Sequence, residues 1–219
     1  MQLDKDTIQK LKNFSVINSN LVYSGQGKLK TISEAKNILA ETDIAIDKPF
    51  SIYDLNEFLS TLSLFENGDV TFNDDAIVIK EGRKKLKYVF ADPNILTTPQ
   101  KDITMPPAEF DFCLSAEDIS QIQKAASTLG HNVLQIRMDK ANTVTIAVID
   151  STNSSKNEYS WTYETGDVYQ ESLRFSFDIL INNLKLIPDN YSVKLSSKLI
   201  SKWEGSTTSY YIALEGTSK

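Results

Sequence analysis

Cysteine and histidine are nearly absent, with one of each among 219 residues. A single cysteine cannot close a disulfide within the chain, which fits a reducing compartment. Cys113 stands between Phe112 and Leu114 and is expected to be a small buried apolar residue rather than a reactive thiol. A lone imidazole leaves metal sites and nucleophile–base pairs without their usual partners. His131 follows Gly130 in a helix-ending turn and is expected to be a surface or turn residue. No apolar run is long enough to span a bilayer, and the amino terminus is amphipathic rather than a basic patch leading into an apolar core. Neither export nor a membrane partner is expected. Gly25-Gln26-Gly27 lacks the third glycine and the following helix of a dinucleotide fingerprint, and no P-loop ending in Lys-Ser or Lys-Thr occurs. That glycine pair reads as a hairpin turn. The chain is also poor in positive charge: a formal net charge of −6 argues against a protein that simply coats nucleic acid. The acidic pairs Asp74-Asp75 and Glu117-Asp118 suit a turn and a helix start, and neither needs a metal to explain it. No cofactor, metal or catalytic residue is expected.

What the chain does contain is a pattern stated twice. LDKDTIQKLKNF places Leu3, Ile8, Leu11 and Phe14 on one side of a helix, and LSAEDISQIQKAASTLG repeats Leu3, Ile8 and Leu11 as Leu114, Ile119 and Ile122. FSIYDLNEFL from Phe50 is matched by FSFDILINNL from Phe175, each reading as a strand end that runs into a short amphipathic helix. Between the copies, DPNILTTPQKDITMPP holds four of the six prolines, which suits an extended connector. The expected organisation is a first domain over residues 1–91, a connector over 92–107 and a second domain over 108–219, each domain large enough to bury a core.

The remainder alternates as antiparallel sheet does. VTFNDDAIVIKEGRKKLKYVF offers short strands parted by Asn73-Asp74-Asp75 and by Glu81-Gly82; NTVTIAVID and NEYSWTYET do the same later. YSVKLSSKLISKWEG and SYYIALEG read as two closing strands joined through Gly205-Ser206-Thr207. The expectation is a β-rich α+β chain with four helices.

Charge placement on the helices differs from the total. Lys5 and Lys12 project opposite the Leu3, Leu11 and Phe14 face, with Gln9 between them. Lys124 lies opposite Ile119, Ile122 and Ala126 among Ser120, Gln121, Ser127 and Thr128, and Lys185 follows the fourth helix. Taken singly, each lysine is explained as a solubilising residue on a polar face. The run Arg83, Lys84, Lys85 and Lys87 is open to both readings, a phosphate contact or a solvated hairpin.

LDKDTIQKLKNFSVINSN, FSIYDLNEFLSTLSLF, AEDISQIQK, INNLKLIPDNY and YYIALEG together resemble, in the same order, the DNA polymerase sliding clamps of T-even bacteriophages and their relatives. The likeness covers nearly the whole chain and is weakest over Thr31–Asp47, Asn67–Lys85 and Ser151–Asn157. It implies the DNA clamp fold: two similar domains, each with two helices packed on antiparallel sheets, assembling into a ring. It further implies a non-enzymatic processivity factor that acts as a homotrimer, encircles duplex DNA without regard to sequence and tethers the replicative DNA polymerase. An ATP-driven clamp loader is implied as a partner, in the cytoplasm of the infected bacterial host, and late-transcription factors stay open as further partners. By the same resemblance Lys5, Lys12, Lys124 and Lys185 are expected to face DNA, while Ser127 stands where some relatives are basic. Ile103 and Met105 of the connector and Tyr211 and Ala213 of YYIALEG are expected to form a pocket for a partner's apolar peptide, although the same residues would serve equally as core. Two other classes remain open at this point. A β-rich phage structural or assembly protein would show no DNA-dependent function, and a small DNA-processing enzyme with a carboxylate site would show metal-dependent turnover.

Overall fold

A computed structural model of the chain describes residues 2–140, 143–153, 156–164 and 175–216. The chain divides into two compact units: Met1–Ile103 with Lys185–Ile187 and Thr207–Tyr211, and Thr104–Leu184 with Pro188–Ser206 and Ile212–Lys219. The main division falls inside the proline-rich stretch. The return of two short later segments to the first unit has no signal in local sequence pattern, because it is made by tertiary pairing.

In the first unit α1 spans Lys5–Ile17, started by Asp4, whose carboxylate accepts the Thr7 N–H at 2.7 Å. Leu11, Phe14 and Ile17 are buried beneath it, at the 3- and 4-residue steps that put side chains on one helix face. β1 (Leu21–Tyr23) pairs with β4 (Phe50–Ile52), and β2 (Leu29–Ile32) pairs with β3 (Ile38–Thr42). The glycine turn at 25–27 therefore links strands of two different sheets instead of closing a paired hairpin. Gly25 has φ +82°, and a Cβ there would come within 2.9 Å of the Pro49 nitrogen, so only glycine fits. α2 (Leu55–Leu62) follows β4 directly. The next three strands, β5 (Asp69–Phe72), β6 (Ala76–Glu81) and β7 (Lys84–Val89), form an antiparallel sheet in that order. Their turns fall at the Asn-Asp-Asp and Glu-Gly clusters.

The second unit opens with β8 (Phe110–Leu114), and α3 (Ala116–Leu129) follows. α3 begins in a capping box: the Ser115 hydroxyl accepts the Asp118 N–H at 3.1 Å, and the Asp118 carboxylate accepts the Ser115 N–H at 2.8 Å. Gly130 ends it with φ 68°. Ser115→Ala is expected to lower stability by about 1 kcal/mol, read as an earlier urea midpoint at unchanged slope. A four-stranded antiparallel sheet follows, in the order β11 (Tyr159–Glu164), β10 (Thr143–Ile149), β9 (Val133–Lys140), β12 (Phe175–Leu180). β13 (Tyr191–Ser196) pairs with both β8 and β14 (Ile200–Glu204). β15 (Thr208–Ala213) ends the described strands. Trp203, fully buried, donates its indole N–H to Ser201 Oγ at 3.0 Å and meets Tyr191 edge-on at 6.2 Å.

The architecture is α+β with antiparallel sheets, and further local expectations are corrected. Three α-helices occur among the described residues, and the expected fourth is a 3-10 turn over Ile181–Asn183. In the first copy Asp54 caps α2 by accepting the Asn56 and Glu57 N–H groups; the matching residue is Ile179, which cannot cap and stays in β12. Asn182 and Asn183 are weak helix formers and Pro188 forces an extended predecessor, so too few residues are left for a helix. YSVKLSSKLISKWEG holds two strands, not one, because the chain turns at Ser197–Leu199 with Leu199 at φ 59°. Cys113 is exposed: in β8 the buried positions are Phe110, Phe112 and Leu114, so the period of two turns Cys113 outward. Of the two readings open for His131, a surface or a turn residue, the surface one does not hold: it follows the Gly130 cap but is buried at 7% exposure, and its Nε2–H donates to the Asn157 carbonyl at 2.6 Å.

Candidate nucleic-acid interface

On α1 the residues Lys5, Gln9, Lys12 and Val16 follow one another at steps of 4, 3 and 4, and all four are exposed. They line one stripe on the face away from Leu11 and Phe14. Lys5 and Lys12 make no ion pair among the described residues, and a rise of 1.5 Å per residue sets them about 10 Å apart along the axis. Lys10, between them in sequence, lies on the other face: it is 5% exposed, donates to the Asp43 carbonyl at 3.0 Å and pairs with Asp6 at 2.6 Å. Its charge is spent on holding the helix to the loop after β3.

Lys185 reaches the end of the same stripe. Its Nζ donates to the Val16 carbonyl at 2.8 Å, while the Asn13 amide donates to the Lys185 carbonyl at 2.9 Å. An ammonium at the carboxy-terminal end of α1 satisfies an orphan carbonyl and opposes the negative end of the helix dipole. The first unit therefore presents Lys5, Lys12 and Lys185 along one helix, with Lys185 half-buried and tied to the fold. Val16, exposed at 59%, shares the stripe and was legible from its position four residues after Lys12.

α3 carries the corresponding face of the second unit. Ser120, Gln121, Lys124, Ser127 and Thr128 are exposed, and Ile119, Ile122 and Ala126 are buried. Lys124 makes no ion pair among the described residues; Glu117, exposed one turn before Gln121, is the acid of that stripe. α2 carries no exposed lysine: its exposed face is Asn56, Glu57 and Ser60. Among the α-helices, exposed lysines are thus carried by α1 and α3.

The basic run at Arg83–Lys87 lies on the β6–β7 hairpin. Lys87 pairs with Asp75 at 2.7 Å and Lys84 with Glu81 at 3.5 Å, both exposed, while Lys85 stands opposite Lys80. Partly neutralised and on the outer strand of its sheet, the run offers less free charge than α1. Of the residues expected to receive a partner peptide, Ile103 is half-buried and Tyr211 is 8% exposed, both in the first unit. Met105 and Ala213 are half-buried residues of the second. No group of three or more His, Cys, Asp or Glu side chains among the described residues could hold a metal ion, and no helix there is long and apolar enough to cross a membrane.

Comparison with known proteins places these faces in context. Residues 4–97 match the family model described as DNA polymerase processivity factor, and residues 111–216 match that described as gp45 sliding clamp, C terminal. The chain is 31% identical to the sliding clamp of Vibrio phage KVP40, over 98% of this chain and 99% of that protein. It is 33% identical to that of Escherichia phage RB69 and 31% identical to that of Enterobacteria phage T4, in each case over 100% of this chain and 98% of the other. Among solved structures, the proliferating cellular nuclear antigen of Entamoeba histolytica superposes with a TM-score of 0.65 at 18% identity, covering 95% of this chain and 94% of that one. The Helicobacter pylori beta clamp bound to a DNA ligase peptide superposes at 0.67 with 15% identity, over 98% of this chain and 66% of the other. These two likenesses concern the fold.

Proposed function

The chain belongs to the bacteriophage sliding-clamp family of DNA polymerase processivity factors, and on that basis we propose that three copies close into a ring around duplex DNA and tether the replicative polymerase without catalysing a reaction. The observation that carries this reading is the match along essentially the full length of three phage clamps, joined to a helix stripe on which Lys5, Lys12 and Lys124 make no ion pair among the described residues.

The physical logic of such a ring favours few cations. Retention comes from topology, so tight phosphate contacts would only oppose sliding. Phosphate attraction is blind to sequence and weakens with salt, and a sparse stripe of Lys5, Lys12, Lys124 and Lys185 supplies it. The net charge of −6 makes the molecule acidic as a whole, which discourages indiscriminate binding of DNA to its surface. Each copy brings α1, α2, α3 and the 3-10 turn at Ile181–Asn183 in place of four full helices.

Ring closure needs complementary edges. Among the described residues β7 and β11 are outermost strands of their sheets, and outer strands leave N–H and C=O groups for a neighbour to pair. Val89 at the end of β7 is 64% exposed and Tyr159 at the start of β11 is 41% exposed, so either edge has apolar area to bury. Opening such a ring requires work, and no phosphate-binding loop is present in the sequence; an ATP-driven clamp loader supplies it. Ile103 and Tyr211 of the first unit and Met105 and Ala213 of the second are the proposed anchors for the apolar tail of the polymerase or of late-transcription factors. The setting is the cytoplasm of the infected bacterial host.

Light scattering on a sizing column across a wide concentration range tests the ring. A species of about 74 kDa, three times the 24.6 kDa chain, is expected, together with retention on circular DNA and run-off from linear DNA. Equal retention on both would sink the topological reading.

A further inference from the structure

The connector between the two units is held by few polar contacts, and one of them stands apart. From Thr98 to Pro106 the chain forms no strand or helix, and among the described residues its hydrogen bonds are a local pair from Gln100 to Thr98 and one long-range contact. That contact joins Lys30 Nζ to Asp102 Oδ1 at 2.5 Å, across 72 positions of sequence. On the amino-terminal side the chain is fixed at Thr97, whose N–H donates to Asn20 Oδ1 and whose carbonyl accepts from Asn18. On the other side the Pro107 carbonyl accepts from Ser196.

We infer that the Lys30–Asp102 ion pair is a releasable latch that fastens the connector to the first unit. The two partners are unequal in the way a latch requires. Lys30 belongs to β2 and faces Glu41 of β3 in register; Glu41 also accepts from Lys28 at 3.0 Å and lies 3.8 Å from Lys30, so the ammonium is steadied by the sheet. Its side chain is 26% exposed, whereas that of Asp102 is 86% exposed. The cation is thus part of the rigid body and the carboxylate rides on the irregular segment. The hydrogen bond between them raises the Lys30 pKa and lowers that of Asp102, so both stay charged near neutrality and the lever is ionic strength. Exposed pairs are weak, so opening is frequent and the latch biases a population instead of locking it. Ile103, half-buried, adds packing that the ion pair does not control.

The test is limited trypsin digestion of the full chain, following the cut after exposed Lys101 by the masses of its two products. Where reclosing outpaces cleavage, the rate follows the population of the open form. Lys30→Gln is expected to speed this cut about threefold while leaving the cut after Lys198 unchanged, and Lys28→Gln is expected to behave as wild type. Raising salt to about 0.5 M should bring the wild type up to the Lys30→Gln rate and leave that variant unmoved. Equal Lys101 cleavage in wild type and Lys30→Gln would overturn the latch. A uniform acceleration at Lys101 and Lys198 would do so too, since it marks general loosening, as would an equal response of both proteins to salt.

Discussion

Replacing Lys5, Lys12 and Lys124 together with glutamate is expected to reduce loading onto nicked circular DNA about tenfold, with thermal midpoint and far-UV spectrum unchanged. The three ammonium groups are exposed and unpaired among the described residues, so the fold loses nothing that it uses. A charge reversal at each of three positions per copy turns attraction for phosphate into repulsion along the helix stripe. Every phosphate that is no longer neutralised makes the slope of log affinity against log salt shallower by about 0.9, so the variant's weaker binding should also respond less to salt. Lys185 is left out of this variant on purpose. Its ammonium is bonded to the Val16 carbonyl, and changing it would mix a DNA effect with a disturbed helix end. Wild-type loading of the triple variant would remove α1 and α3 from the DNA-facing assignment.

The largest effect on stability is expected from Trp203→Ala, at about 3–5 kcal/mol. Trp203 has no exposed surface, and its truncation leaves a void against Tyr191 that a packed interior fills only in part. The Ser201 hydroxyl keeps its donation to the Ile212 carbonyl at 2.9 Å, so the loss is packing and the indole hydrogen bond, not a second orphaned group. Urea unfolding should show the transition of the second unit moving to lower denaturant, and Trp203→Phe should cost less than half as much. An unchanged midpoint would contradict the burial of this β14 side chain.

The helix faces were legible because each repeats an apolar residue at 3- and 4-residue steps: Leu11 and Phe14 in α1, Ile119 and Ile122 in α3, all buried. Turn chemistry at Asn73–Asp75 and Glu81-Gly82 likewise placed β5, β6 and β7. The missing fourth helix shows where pattern matching fails. Apolar spacing is alike in FSIYDLNEFL and FSFDILINNL, but only the first has an aspartate at the position where a helix must be capped. The apolar neighbours of Cys113 suggest burial, yet their being apolar at alternate positions is what sends it outward. Lys10 and His131 were not legible at all, since their burial depends on partners at Asp43 and Asn157, far along the chain. The candidate DNA face was readable as spacing. That Lys185 shares it with α1 depends on a hydrogen bond across 169 positions.

The first unit takes Lys185–Ile187 and Thr207–Tyr211 from far along the chain, and the Thr42 hydroxyl donates to the Thr207 carbonyl at 2.9 Å. During synthesis, then, the amino-terminal half leaves the ribosome without its last strand residues and must wait for about a hundred more amino acids. At roughly 5–20 residues per second that interval lasts about 5–20 s. β3 and β15 are neighbours in one sheet, so over that time the flank of β3 is an unpaired edge, the kind that other nascent chains can pair with.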